Sequence, residues 1–255
     1  MVVMSESPSE GTERQGGQDG HLTQAVAEIV THPQYPCLGA RSVFQRNRAS
    51  VRVYGDLADP LSAPVILRDL REFAANTDHD GGFASFMAIF RGPVIDDERH
   101  FERLLWAQLR QIHEVDDVPW NEDVSADPED EHFAFSAGGT AYFIVGLHPQ
   151  ATREARVTPV PTLVFNLHEQ FEILRRSGTY AGMRDKIRER DERLQGTINP
   201  MVADHGASSE ARQYSGRRVG PTWRAPFPID QVDADTKSAD EPVAGEPRAD
   251  SQKTR

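Results

Sequence analysis

Three short runs dense in aromatic and β-branched side chains constrain the fold more than any other feature of the chain: FASFMAIF over residues 83–90, TAYFIV over 140–145 and PTLVF over 161–165. The first two are bounded by Gly-Gly, Gly-Pro or Gly-Leu-His-Pro, and all three read as buried strands. Helical spacings surround them. Leu22, Val26, Ile29 and Val30 recur at helical intervals over 21–31, as do Val65, Ile66, Leu70 and Phe73 over 61–75 and Phe101, Leu104, Leu105, Leu109 and Ile112 over 96–115. Two charged segments, 169–175 and 179–194, carry Phe171, Leu174, Met183, Ile187 and Leu194 on one side. Strands mixed irregularly with helices do not build a regular βαβ array. They predict a single α+β domain, with a mixed or antiparallel sheet covered by helices.

The polar residues are concentrated at the two ends. Residues 1–20 are rich in Ser, Glu, Gly and Gln, and residues 229–255 alternate Asp, Glu, Ala, Ser and Lys without an aromatic side chain. Neither stretch can bury enough apolar surface to offset its ordering entropy, so a disordered arm (1–20) and an acidic disordered tail (229–255) are expected to flank one folded domain over 21–228. A net charge of −12 repels phosphate backbones and anionic lipid, so neither nucleic acid nor a membrane is an expected partner. No apolar run approaches the roughly 18 residues of a spanning helix, and the polar start lacks a signal-peptide core, so a cytoplasmic location is expected. The sequence also lacks a phosphate-binding glycine loop after a strand, a Gly-x-Ser-x-Gly elbow and a His-Glu-x-x-His motif, which removes support for the common nucleotide, hydrolase and zincin readings.

Cys37 is the only cysteine, which excludes an internal disulfide and any multi-cysteine zinc or iron–sulfur site. It is core filler, a nucleophile or a metal ligand. The proline before it and the glycine two residues after it suit a ligand loop, where backbone N–H groups hold a thiolate and glycine permits a close approach. His148 ends the strongest strand in Gly146-Leu147-His148-Pro149, where a sharp turn can project an imidazole into a pocket as a metal ligand. His168 precedes a helix; it is either a cap or, with His148 and Glu169 or Glu172, part of a two-histidine, one-carboxylate iron site. Arg153 and Arg156 follow the His148 turn, and Arg212 and Arg217 form a second cationic cluster. Their planar forks suit carboxylates, whether of a ligand or of the chain's own acidic residues. The acidic run over 116–131 beside Trp120 reads as a solvated loop that could also receive a cationic substrate.

Read in order, YPCLGARS at Tyr35, FASFMAIF at Phe83, FERLLWAQL at Phe101, FSAGGTAYFIVGLHPQATREAR at Phe135, LVFNLHEQFEILR at Leu163, LQGTINPM at Leu194 and SEARQYSGR at Ser209 resemble the YqcI/YcgG family over residues 35–228. That family includes the haem-dependent guanidine N-hydroxylase of guanitoxin biosynthesis, and it is similar to the arginine N-hydroxylase of D-cycloserine biosynthesis. The resemblance implies a haem-dependent monooxygenase that N-hydroxylates a guanidino compound such as arginine or an arginine derivative. It implies haem b as cofactor, with dioxygen and an external electron donor supplied through a reductase. The pocket it implies has Cys37 as the preferred axial ligand and His148 as the alternative ligand or a proton donor. Arg153, Arg156, Arg212 and Arg217 would then hold propionates or a substrate carboxylate. Where the family often has Cys-Pro-Phe near its C-terminus, this chain has Ala225-Pro226-Phe227, which leaves Cys37 as the sole thiol. Two other classes stay open: a haem-binding sensor or carrier without turnover, and a non-haem iron oxygenase using His148 and His168.

Overall fold

The computed structural model describes residues 8–197 and 209–227. Five strands, β1 (Ala49–Asp56), β2 (Ser85–Gly92), β3 (Phe135–Ala137), β4 (Thr140–Leu147) and β5 (Thr162–Leu167), form one sheet in the order β1-β2-β5-β4-β3. β1 and β2 are parallel and joined by helix α3 (Ala63–Asn76); the other three pairs are antiparallel. The sheet is therefore mixed, as the irregular alternation of patterns predicts.

Because side chains alternate across a strand, the two faces have different fates. Phe86, Ala88 and Phe90 on β2, Tyr142 and Ile144 on β4, and Leu163 and Phe165 on β5 point into the larger core, against α3 and α4 (Glu98–Glu114). The carboxylate of Asp97 starts α4 by accepting a hydrogen bond from the His100 amide at 2.6 Å. The helix then presents Phe101, Leu105, Leu109 and Ile112 at its own period, all fully buried. Burial of each contributes about 1.5–3 kcal/mol. On the opposite face Met87, Ile89 and Leu147 meet Val26 and Val30 of α1 (Pro8–Thr31).

That second face is less completely filled. It is covered by α1, α2 (Leu38–Gln45), α5 (His168–Arg176) and α6 (Tyr180–Gln195), but α5 buries only Gln170 and α6 only Asp191. Phe143, Val145, Val164 and Asn166 stay half-buried in central strands as a result. The unfilled space above them is the cavity described below. A single helical turn, α7 (Ala211–Tyr214), lies against β4.

The expected disordered arm over 1–20 is helical from Pro8 onward, as the first half of α1. Asp19 there accepts hydrogen bonds from Nε and Nη2 of Arg91 on β2 at 2.6–3.0 Å, a long-range pairing that composition cannot register. Residues 1–7 and the expected acidic tail over 229–255 lie outside the described residues. α2, β1 and β3 have no counterpart in the sequence reading: β1 mixes Val51 and Val53 with Arg52 and Asp56, and β3 is three residues long. Among the described residues no helix is long and apolar enough to cross a membrane.

Candidate functional site

The cavity has a volume of about 250 Å³ and continues to solvent. That is just under the range of about 300–1,000 Å³ usual for drug-sized ligands. Its floor is the half-filled face of the sheet, with Met87 from β2, Val164 and Asn166 from β5, and Phe143 and Val145 from β4. Its walls come from α1, α2, α5 and α6, and it has two polar ends.

Cys37 stands at the first end. It is the N-cap of α2, in extended conformation, and its Sγ accepts a hydrogen bond from the Ala40 amide at 3.4 Å. Burial pushes the thiol pKa up, while the amides of Ala40 and Gly39 and the Arg156 guanidinium pull it back down. The net shift is upward, so the free protein carries Cys37 as the neutral thiol, and these donors are the groups that would meet a thiolate. Tyr35 is beside it, and its hydroxyl donates to the Ala155 carbonyl at 3.0 Å. Arg156 closes this end: its guanidinium donates to the carbonyls of Gly146 at 3.0 Å and Gln213 at 3.2 Å, and burial lowers its pKa.

Glu210, just before α7 and one turn from Gln213, stands at the second end with Arg175 of α5. Its Oε1 lies 3.8 Å from Nη2 of Arg175 and 3.8 Å from Nε2 of His168, beyond hydrogen-bond range. Among the described residues its buried Oε2 has no hydrogen-bond partner. Burial pushes the Glu210 carboxyl up to about 8, with Arg175 opposing and Glu172 reinforcing the shift.

The structure separates most of the residues that the sequence puts together. His148 shares the parity of Tyr142 and Ile144, so it lies on the α4 side of the sheet, where it stacks on Phe101 with ring centroids 4.2 Å apart. It is 1% exposed and does not line the cavity. Burial pulls its pKa down to about 4, with Glu98 opposing, so the ring is neutral at ordinary pH. Of the four arginines, Arg156 reaches the cavity. Arg153 is held by the Asp191 carboxylate at 2.5 Å and by Thr197; Arg217 by Glu102 at 2.6 Å; Arg212 by the carbonyls of Trp223 and Gly220 while its guanidinium lies over the Trp223 ring. Asp191 itself lines the cavity, so Arg153 touches it through that residue.

The iron site drawn from His148, His168 and a glutamate does not assemble. Leu147 pairs with Thr162 and Leu167 with Tyr142, which puts the two histidines at opposite ends of the β4–β5 ladder. Seven residue steps of strand separate them, about 23 Å. Among the described residues no three His, Cys, Asp or Glu side chains are grouped to hold a metal ion. The acidic run over 116–131 serves its own loop: Asp116 pairs with Arg71 and accepts from the Gly138 amide, and Asp127 and Asp130 accept from nearby amides. Trp120 packs on Phe133, Phe135 and Phe227. Neither the carboxylates nor Trp120 line the cavity.

Sequence reasoning overlooked Glu210 and Arg175. Glu210 lies inside the SEARQYSGR block, where only the arginines were read for charge; Arg175 was read as part of a charged helix.

The residue types around the cavity are ones that could hold haem: one thiol at a helix start, apolar walls, and the guanidinium groups of Arg156, Arg175 and Arg184. A porphyrin is wider than the cavity as it stands, so binding would require a wall to yield; α6, which buries only Asp191, is one such wall.

No solved structure matches the chain. Two proteins of Bacillus subtilis of uncharacterised function do: YcgG, 28% identical over 189 residues (71% of this chain, 75% of that one), and YqcI, 25% identical over 190 residues (71% and 75%). A Streptomyces lavendulae protein provisionally named an N(omega)-hydroxy-L-arginine synthase is 26% identical over 183 residues, 68% of each chain. The YqcI/YcgG family model matches residues 26–228, a span that takes in all five strands and both ends of the cavity. The chain belongs to the YqcI/YcgG family.

Proposed function

We propose that this protein is a haem-dependent monooxygenase that N-hydroxylates a small guanidino compound such as arginine or an arginine derivative. The observation that carries the reading is the position of Cys37: the sulfur of the one thiol in the chain lines the apolar cavity, capped by a backbone amide and beside Arg156. The guanidine part rests on the likeness to the Streptomyces protein and its provisional name.

In this reading Cys37 would hold haem b through its sulfur, and the amides of Gly39 and Ala40 would stabilise the thiolate. Arg156 would hold a carboxylate of the cofactor or the substrate. Haem held there would supply oxygen activation, with dioxygen, two electrons from an external reductase and two protons balanced by one oxygen atom on a guanidine nitrogen and one water. Phe143, Phe171 and the valines of the floor keep water from the reacting nitrogen.

The test is the visible spectrum of the ferrous, carbon monoxide-treated protein, whose Soret position separates thiolate from imidazole ligation. Cys37→Ser is expected to remove the thiolate band. Unchanged haem binding and an unchanged spectrum in that variant would reject the ligand assignment. Mass spectrometry for a gain of one oxygen, with a guanidino panel, dioxygen and reductant, then separates an enzyme from a haem carrier.

A further inference from the structure

We propose that Glu210 is the cation-binding residue of this cavity and receives the guanidinium head of a small ligand. This deepens the reading above and rests on it for the chemical class of the ligand. Glu210 is 7% exposed, lines the cavity, and has no hydrogen-bond partner for Oε2 among the described residues. An ionised carboxylate offers about four acceptor positions, and here the nearest cations stop at ion-pair distance. Arg175 cannot move closer without giving up other partners: one guanidinium nitrogen is committed to Glu172, and the group lies over the Tyr180 ring, 5.1 Å from its centroid.

Arg175 is engaged by Glu172, so its guanidinium does not close on Glu210. A buried acceptor without a donor costs free energy, and a ligand with N–H donors relieves it. Phe143 and Phe171 line the same end with ring centroids 5.7 Å apart, and aromatic faces favour a flat, delocalised cation over a neutral head. Glu210 stands one helical turn from Gln213, whose carbonyl accepts from Arg156 at the Cys37 end.

The test is calorimetric titration of the purified full-length protein with L-arginine and with L-citrulline, which has the same outline and a neutral urea head. Arginine is expected to bind at least ten-fold more tightly than citrulline. Glu210→Gln should weaken arginine at least ten-fold and leave citrulline unchanged. Since burial keeps a proton on the empty carboxyl near neutrality, arginine binding at pH 7 should release a proton, seen as a heat that varies with the ionisation enthalpy of the buffer. This readout and the citrulline comparison need no variant, so they decide the matter even if Glu210→Gln folds poorly. If arginine binds wild type and Glu210→Gln equally and releases no proton, the Glu210 assignment is overturned while the guanidine reading stands. If no guanidino compound binds but an alkylamine does, in a Glu210-dependent way, Glu210 is upheld as the cation residue and the guanidine class falls. Binding of no cation at all overturns the proposal.

Discussion

Replacing Glu210 with glutamine should stabilise the protein relative to wild type by an amount that grows with pH. Burial holds the folded-state carboxyl at about 8, against an ordinary value of 4.5. Below 4.5 the group is protonated whether the chain is folded or not, and it imposes no penalty. Between 4.5 and 8 the unfolded chain has released the proton that the folded chain keeps, so folding is progressively disfavoured; above 8 the penalty is constant. At about 1.4 kcal/mol per pH unit, wild type should lose about 3 kcal/mol between pH 5 and pH 8 that the glutamine variant keeps. For a domain of this size that is a difference of about 6–12 °C in Tm. His168, Glu172 and Arg175 on α5 and Tyr214 on α7 face Glu210 in both proteins, so the comparison isolates the one carboxyl. Urea unfolding of both proteins at pH 5, 6.5 and 8 measures it. Parallel pH profiles would refute the reasoning, because they would mean that the carboxyl is solvated or already hydrogen-bonded.

His148→Ala should cost about 2 kcal/mol in urea unfolding by removing a buried ring stacked on Phe101, yet leave haem content and spectrum unchanged; loss of haem with intact stability would contradict its placement. The same variant should also lose the fall in stability between pH 6.5 and pH 4, where the unfolded imidazole is protonated and the buried one is not. Gly146→Ala places a methyl 2.6 Å from the Phe101 ring and 2.8 Å from the Tyr214 carbonyl, so a loss of about 1–3 kcal/mol is expected by thermal or urea melts. Loading with haem should slow amide hydrogen exchange in Tyr180–Gln195, the thinly packed wall, and an unchanged exchange pattern there would place the cofactor elsewhere.

The sheet strands β2, β4 and β5 and the helix α4 were legible because their apolar residues keep one period over many positions. Cys37 and Arg156 were legible as candidates from uniqueness and charge. The partners of the other arginines were not, since Asp191 stands 38 residues from Arg153 and Glu102 stands 115 from Arg217. The separation of His148 from Cys37 did leave a trace: His148 has the parity of Gly146 and Ile144, not of Val145 and Leu147, so it belongs to the other face of the sheet. Glu210 had no such signal. What distinguishes it is the failure of Arg175 and His168 to come close, and that depends on how α5 and α7 settle against the sheet.

The strand order also bears on how the protein acquires its pocket during folding. β1 pairs with β2 through one helical crossover, and β4 meets β5 across fifteen residues, from Leu147 to Thr162. The central β2–β5 pair joins Ser85 to Asn166, 81 residues apart. Closing that long loop is entropically the costliest step, so the two local units are expected to form before they join. Met87 belongs to one unit and Val164 to the other, so the cavity floor is the seam between them. During synthesis no ligand can be gripped until the seam has closed and Glu210 has left the ribosome. A bound ligand then acts as a clamp across the seam, and the protection it confers should spread through all of the central strands instead of stopping at the residues that touch it.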